Sequence, residues 1–183
     1  MLHMSQICYN IIEQLLRNNN HIRGLAKAIN TNQMAISRNI TQLYIKNIVD
    51  YKIEGKNKVF FLKKTLEAMQ FVYMAELNKL FQILENYPKL RLIIDRIKSH
   101  KEVKLAILFG SYAKGTPKKD SDIDIYIETR DKEIKKDIQA INSKLNIKIG
   151  DYNKDNILIK EIENNHIIIK GVEEFYEKNK FFD

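Results

Sequence analysis

In the stretch VKLAILFGS, apolar side chains occupy both phases of a strand, Val103, Leu105, Ile107 and Phe109 on one and Ala106 and Leu108 on the other. A strand apolar on both faces has to be covered on both, which makes this segment the centre of a sheet. Gly110 then lets the backbone turn closely, and Ser111 opens a short helix whose free N–H groups and dipole favour a phosphate. After ten intervening residues beyond Ser111 the chain reads DIDIYIE, where Asp122, Asp124 and Tyr126 share one face and Ile123, Ile125 and Ile127 the other. Two carboxylates so placed repel unless a cation stands between them, and hard oxygen donors beside a phosphate site suit Mg²⁺. Lys114, with Lys118 and Lys119 in the loop between, adds positive charge near that point.

A chain of 183 residues can bury one good core or two small ones, and the shifts in composition favour two. No apolar run approaches the roughly 20 residues of a membrane span, and MLHMSQICYN lacks the blocks of a secretion signal. The expectation is a cytoplasmic protein with no membrane partner. Its one cysteine, Cys8, cannot form an internal disulfide and reads as a small core residue of a first helix.

The formal charge of +8 is placed unevenly. Residues 1–64 carry ten Lys/Arg against three Asp/Glu, residues 65–100 five against four, and residues 101–183 sixteen against sixteen. Nearly all the excess therefore lies in the first third, as a phosphate-binding footprint would require. There, Ile7, Ile11, Ile12, Leu15 and Leu16 follow a helical spacing behind a Ser that can cap, and an Asn run ends the helix. IRGLAKAIN gives a second helix with Leu25, Ala28 and Ile29 inward. Thr31 or Asn32 can cap a third, with Ile36, Ile40 and Leu43 on its inner stripe. Opposite that stripe lie Gln33, Ser37, Arg38 and Thr41, able to reach base edges and phosphates. Two β-rich runs around EGKNK complete a basic hairpin.

Residues 5–64 resemble the winged helix-turn-helix family of DNA-binding domains. The resemblance implies that the helix from Gln33 enters the major groove of double-stranded DNA and that Lys52, Lys56 and Lys58 on the wing touch the phosphate backbone. Winged helices also serve as protein-docking modules. From Thr65 to Asn86, Leu66, Met69, Tyr73, Leu77, Leu80 and Leu84 recur at helical steps, widened by Phe71, Met74 and Phe81. This long helix breaks at Tyr87-Pro88 and resumes in KLRLIIDRIKSH. Its apolar face needs cover from the C-terminal domain or from a second copy, and two-fold DNA half-sites favour a homodimer.

The buried strand, Gly110-Ser111, ten residues and Asp122-x-Asp124 together resemble the nucleotidyltransferase superfamily that includes DNA polymerase beta, and in size its minimal members. The order of elements fits to the end of the chain, with a helix over DKEIKKDIQAINSKL, a strand in NIKIGDY, a helix in KDNILIKEIENN, and a strand and helix in HIIIKGVEEFYE. The expected fold is therefore α/β (α+β): a winged helix-turn-helix over 1–64, a helical connector over 65–100, and over 101–183 a nucleotidyltransferase domain with a mixed sheet. The resemblance implies that Gly110 and Ser111 hold ATP or another nucleoside triphosphate, that Asp122 and Asp124 bind Mg²⁺, and that a third carboxylate follows on the next strand.

In LNIKIGDYN the core phase of Leu145, Ile147 and Ile149 leaves Lys148 at the pocket-facing position expected to be acidic. Asp151 is the nearest carboxylate, in the phase of Ile149, and turns to the pocket only if Gly150 makes a bulge. A lysine there could neutralise the aspartates and substitute electrostatically for a metal. Two functions stay open. One is transfer of a nucleoside monophosphate to an acceptor hydroxyl by Asp122, Asp124 and Asp151; minimal nucleotidyltransferases often act as antitoxins, so the resemblance extends to a toxin protein as partner. The other is a winged-helix transcriptional regulator whose second domain binds a nucleotide or a partner without turnover.

Overall fold

The computed structural model describes residues 5–182; the start of the chain, where a secretion signal would stand, lies partly outside them. The chain divides into two compact units, one of the described residues through Asn78 with Lys180 to Phe182, the other of Lys79–Asn179.

The first unit runs α1 (Gln6–Arg17), β1 (Asn20–His21), α2 (Ile22–Ile29), α3 (Gln33–Ile45), β2 (Val49–Glu54) and β3 (Asn57–Leu62). Ser5 precedes α1 without capping it by its side chain. Its hydroxyl instead donates to Asn39 Oδ1 at 2.5 Å, and the Cys8 thiol donates to the same oxygen at 3.0 Å. Asn39 Nδ2 in turn donates to the Ala35 carbonyl at 2.8 Å, so a buried amide in α3 finds partners for both its ends. Burial pushes the Cys8 thiol up, which suits a core residue.

The His21 ring caps α2, Nδ1 accepting from the Gly24 amide at 2.9 Å. Leu25 and Ala26 are buried in α2, whereas Ala28, expected inward, is exposed. In a helix of eight residues that begins at Ile22, the inner face falls on positions 22, 25, 26 and 29, which leaves 28 outside. Asn32 caps α3 by accepting from the Ala35 amide at 2.8 Å, and Ile36, Ile40 and Leu43 are buried as their spacing predicts. The hairpin turns over Gly55 and Lys56, where Gly55 takes φ +60° that a side-chain-bearing residue rarely adopts. Strand β3 lies between β1 and β2, all antiparallel. Helix, strand, helix, helix and hairpin in this pairing form a winged helix-turn-helix.

Helix α4 (Leu66–Asn86) passes from one unit into the other. Its buried residues include Ala68, Val72, Ala75, Leu80 and Ile83, while Leu66, Leu77 and Phe81 are 54–70% exposed. The expected stripe is thus rotated. The helix is apolar around most of its circumference, so periodicity alone did not select a face, and the small Ala68 and Ala75 permit the closest packing.

In the second unit a 3-10 turn at Pro88–Leu90 leads to α5 (Arg91–Ser99), followed by β4 (Ala106–Phe109), α6 (Gly110–Ala113), β5 (Ile123–Glu128), α7 (Lys132–Gln139), β6 (Leu145–Gly150), α8 (Ile157–Asn164), β7 (Ile167–Lys170) and α9 (Val172–Asn179). The sheet order is β6-β5-β4-β7, with β5 and β6 parallel and the other pairs antiparallel. All four residues of β4 are buried, as a strand apolar in both phases demands. Ile123, Ile125 and Ile127 join Ile93 and Ile97 of α5 and Ile134 and Ile138 of α7 in one core. In the opposite phase, Tyr126 meets Tyr152 edge-on at 6.3 Å and Tyr152 meets Phe175 of α9 at 6.0 Å. Each buried isoleucine contributes about 1.5–3 kcal/mol, so apolar burial on both faces sets the stability of this unit.

At the edge of that core, Asp137 of α7 accepts from Arg96 of α5 through two hydrogen bonds, one at 2.7 Å, and its Oδ2 lies 2.8 Å from His100 Nε2. The Arg96 guanidinium first, and His100 second, hold its carboxyl at about 2 against an ordinary 3.8. A depressed carboxylate stabilises the fold above its unfolded value and loses that contribution as pH falls through the folded one. Replacing Asp137 by Asn is therefore expected to flatten the fall in melting temperature between pH 4 and pH 2, measured by circular dichroism; parallel curves for the two proteins would count against the ion pair.

Candidate functional site

The antiparallel register of β4 and β5 places Phe109 opposite Asp124, which brings the following Gly110 onto the aspartate. Gly110 has φ +68°, and a Cβ built on it would lie 2.3 Å from Asp124 Oδ2. Only a glycine lets the backbone come this close to the carboxylate. Ser111 follows in α6, its hydroxyl without a hydrogen-bond partner among the described residues, and the one-turn helix closes through the Lys114 amide to the Gly110 carbonyl at 3.1 Å. Asp122 stands exposed just before β5 and has no ion-pair partner among the described residues. Asp124, half-buried, is gripped on its other oxygen: Asn146 Nδ2 donates to Oδ1 at 2.7 Å.

The structure thus sets Gly110 against Asp124, with Ser111 directly after the glycine and Asp122 two residues before the aspartate, just ahead of the same strand. Lys114 lies one turn on, with its ammonium 3.3 Å from Glu161. Lys148 and Asp151 are not brought to the pair. The parallel register sets Asp124 beside Asn146 and Tyr126 beside Lys148, two positions further on, and Lys148 is exposed. Asp151 lies beyond Gly150, which pairs with Glu128 at the far end of β5. Glu128 is four residue steps along the strand from Asp124, about 13 Å at 3.3 Å per residue. There Arg130 binds Asp151 through two hydrogen bonds, one at 3.0 Å, and the guanidinium holds the carboxyl below its ordinary value. The Tyr126 hydroxyl donates to the Gly150 carbonyl at 2.8 Å, and burial pushes the phenol up.

Asn146 is the residue that sequence reasoning missed. It shares the alternation phase of Lys148, and only the pairing of β6 with β5 reveals which of the two stands beside Asp124. The donor set is then two carboxylates and a neutral amide. Among the described residues no three His, Cys, Asp or Glu side chains converge on a metal position. Two carboxylates with substrate phosphates and water nevertheless make an adequate shell for one Mg²⁺.

In the first unit, Gln33, Ser37, Arg38 and Thr41 are all exposed on one side of α3. The Thr41 hydroxyl donates to the Ser37 carbonyl at 2.9 Å, and Arg38 has no ion-pair partner among the described residues. On the hairpin Lys52 pairs with Glu54 at 2.7 Å, Lys58 lies 4.2 Å over the Tyr51 ring, and Lys56 projects at the tip. No described helix is long and apolar enough to cross a membrane.

The family Polymerase beta, Nucleotidyltransferase matches residues 91–175. Among solved structures, the adhesin competence repressor AdcR from Streptococcus pyogenes is 20% identical over 53% of this chain and 78% of its own, with a TM-score of 0.37. A homodimeric winged helix-turn-helix DNA-binding domain from Mycobacterium bovis, a possible ArsR-family transcriptional regulator, is 21% identical over 44% of this chain and 68% of its own, at 0.32. A toxin-antitoxin structure with AMP-PNP is 19% identical over 57% of this chain and 78% of its own, at 0.34. Likenesses this distant carry no functional argument. No curated protein matches the chain. The sheet, the glycine turn against Asp124 and the family match agree: residues 91–175 form a domain similar to the polymerase beta nucleotidyltransferases, behind an N-terminal winged helix-turn-helix.

Proposed function

We propose that this is a DNA-binding regulator whose nucleotidyltransferase domain holds a nucleoside triphosphate with Mg²⁺ at Gly110, Ser111, Asp122 and Asp124. The contact of the Gly110 backbone with the Asp124 carboxylate carries the reading, because it sets a tight glycine turn and the start of a helix beside a hard oxygen donor. A bound Mg²⁺ would neutralise the triphosphate. The chain's own groups do the rest: the turn at Gly110 gives the phosphates close access to backbone N–H groups, the Ser111 hydroxyl can donate to a phosphate oxygen, and Lys114 adds charge one turn away. The absence of a third carboxylate beside Asp124 among the described residues supports retention of the nucleotide over turnover.

The second reading is transfer of the nucleoside monophosphate to an acceptor hydroxyl, including one on a toxin partner, with Asp151 as third acid. The intact Gly-Ser and Asp-x-Asp spacing favours it. In the first unit the exposed face of α3 would read base edges while Arg38, Lys52, Lys56 and Lys58 meet phosphates, and the local excess of ten basic over three acidic residues supports this. The exposed Leu66, Leu77 and Phe81 of α4 support a homodimer, in keeping with cytoplasmic operator binding.

Labelled ATP with Mg²⁺ separates the two readings: binding without label transfer to candidate partners is expected, whereas transfer that Asp122→Asn and Asp124→Asn abolish would establish the enzyme. Gly110→Ala is expected to strain the fold by about 1–3 kcal/mol and to weaken ATP binding at least ~10-fold, read by thermal melting and isothermal calorimetry; undiminished affinity would reject the site. For DNA, Lys56→Ala is expected to lower the slope of log affinity against log salt by about 1 on any sequence, and an affinity indifferent to salt would reject the footprint.

A further inference from the structure

We propose that Asn146 is a positioning residue that restricts the nucleotide site to one divalent cation. The proposal rests on the reading of Gly110, Ser111, Asp122 and Asp124 as a triphosphate site, and it concerns how many ions that site accepts. Both oxygens of Asp124 are already constrained. Oδ1 accepts from Asn146 Nδ2 at 2.7 Å, and Oδ2 lies against Gly110, 2.3 Å from where a Cβ would stand. A carboxylate only accepts hydrogen bonds, so the amide must present its NH₂ to it, and the positive end of that dipole occupies the approach to Oδ1.

Two-metal phosphoryl sites hold their ions about 3.5–4 Å apart, which requires a carboxylate bridging both ions and further anionic ligands for the second. Here a second ion would meet N–H hydrogens in place of an anion. Neither candidate on or after β6 corrects this. Lys148, the next residue of β6 in that phase, stands beside Tyr126, and Asp151 is bound to Arg130 past the end of the strand. Asp122 and Asp124 contribute two negative charges, which balance one divalent cation; a second would depend on the triphosphate alone. The amide at position 146 also cannot take a proton at neutral pH, so an acceptor hydroxyl finds no base there. Asn146 therefore holds Asp124 in place for one ion while withholding the second.

The test counts Mn²⁺ retained by the full-length protein with a saturating non-hydrolysable ATP analogue, by electron paramagnetic resonance, while equilibrium dialysis of the labelled analogue gives occupancy. One Mn²⁺ per bound analogue is expected for the unaltered protein and two for Asn146→Asp. Asn146→Ala should keep one and bind the analogue about 3–10-fold more weakly, since each factor of ten corresponds to about 1.4 kcal/mol and Asp124 loses one hydrogen bond. Two ions on the unaltered protein, or one on a folded Asn146→Asp with analogue bound, overturns the role given to Asn146. Two ions on the unaltered protein would overturn the proposal even if a variant does not fold. Absence of analogue binding by the unaltered protein would overturn the nucleotide-site reading, and this inference with it.

Discussion

The pairing of β4 with β5 is the constraint on which the second unit depends. Because β4 is buried on both faces, it can occupy only an inner position of the sheet, and its register then decides what the turn after Phe109 touches. That register sets Gly110 on Asp124. Core and site are therefore one arrangement: the isoleucines of β5 face α5 and α7, and the alternate phase presents Asp124 and Tyr126. A shift by one residue would exchange the two sets and destroy both together.

The two units answer to different physics. The first combines a small core of Cys8, Ile11, Leu25, Ile36, Ile40 and Leu43 with a surface carrying most of the chain's excess positive charge. The buried Asn39 amide, satisfied by Ser5, Cys8 and Ala35, ties α1 to α3 and so fixes the helix whose outer face would meet DNA. The second unit carries a smaller excess, twenty Lys/Arg against seventeen Asp/Glu, and places its candidate site residues on rigid strands. An electrostatic surface tolerates loose geometry because it acts over about a Debye length, whereas a cation site requires positions held to fractions of an ångström.

Much of this architecture is legible in the order and type of the residues. Local signals are strong where a residue type has one dominant use: a cap at Thr31 or Asn32, which Asn32 supplies, Gly55 in the turn, and alternation through DIDIYIE. They are weak where several faces or partners compete. Helix α4 is apolar nearly all round, so its inner face goes to Ala68, Val72 and Ala75, where packing is closest. On β6, alternation correctly separates Leu145, Ile147 and Ile149 from Asn146 and Lys148, yet cannot say which of the latter two meets Asp124.

By itself, the sequence determined the order of elements, the two-sided burial of β4, the Gly-Ser and Asp-x-Asp spacing and the concentration of positive charge before residue 65. Each of these depends on residue type and near neighbours along the chain, through dihedral preference, alternation or charge count. Only the tertiary structure decided that Asn146 binds Asp124 and that Asp151 pairs with Arg130 at the other end of β5. Those outcomes depend on the register between two parallel strands joined by a crossover helix, which hydrogen bonding across the sheet sets and no local pattern records.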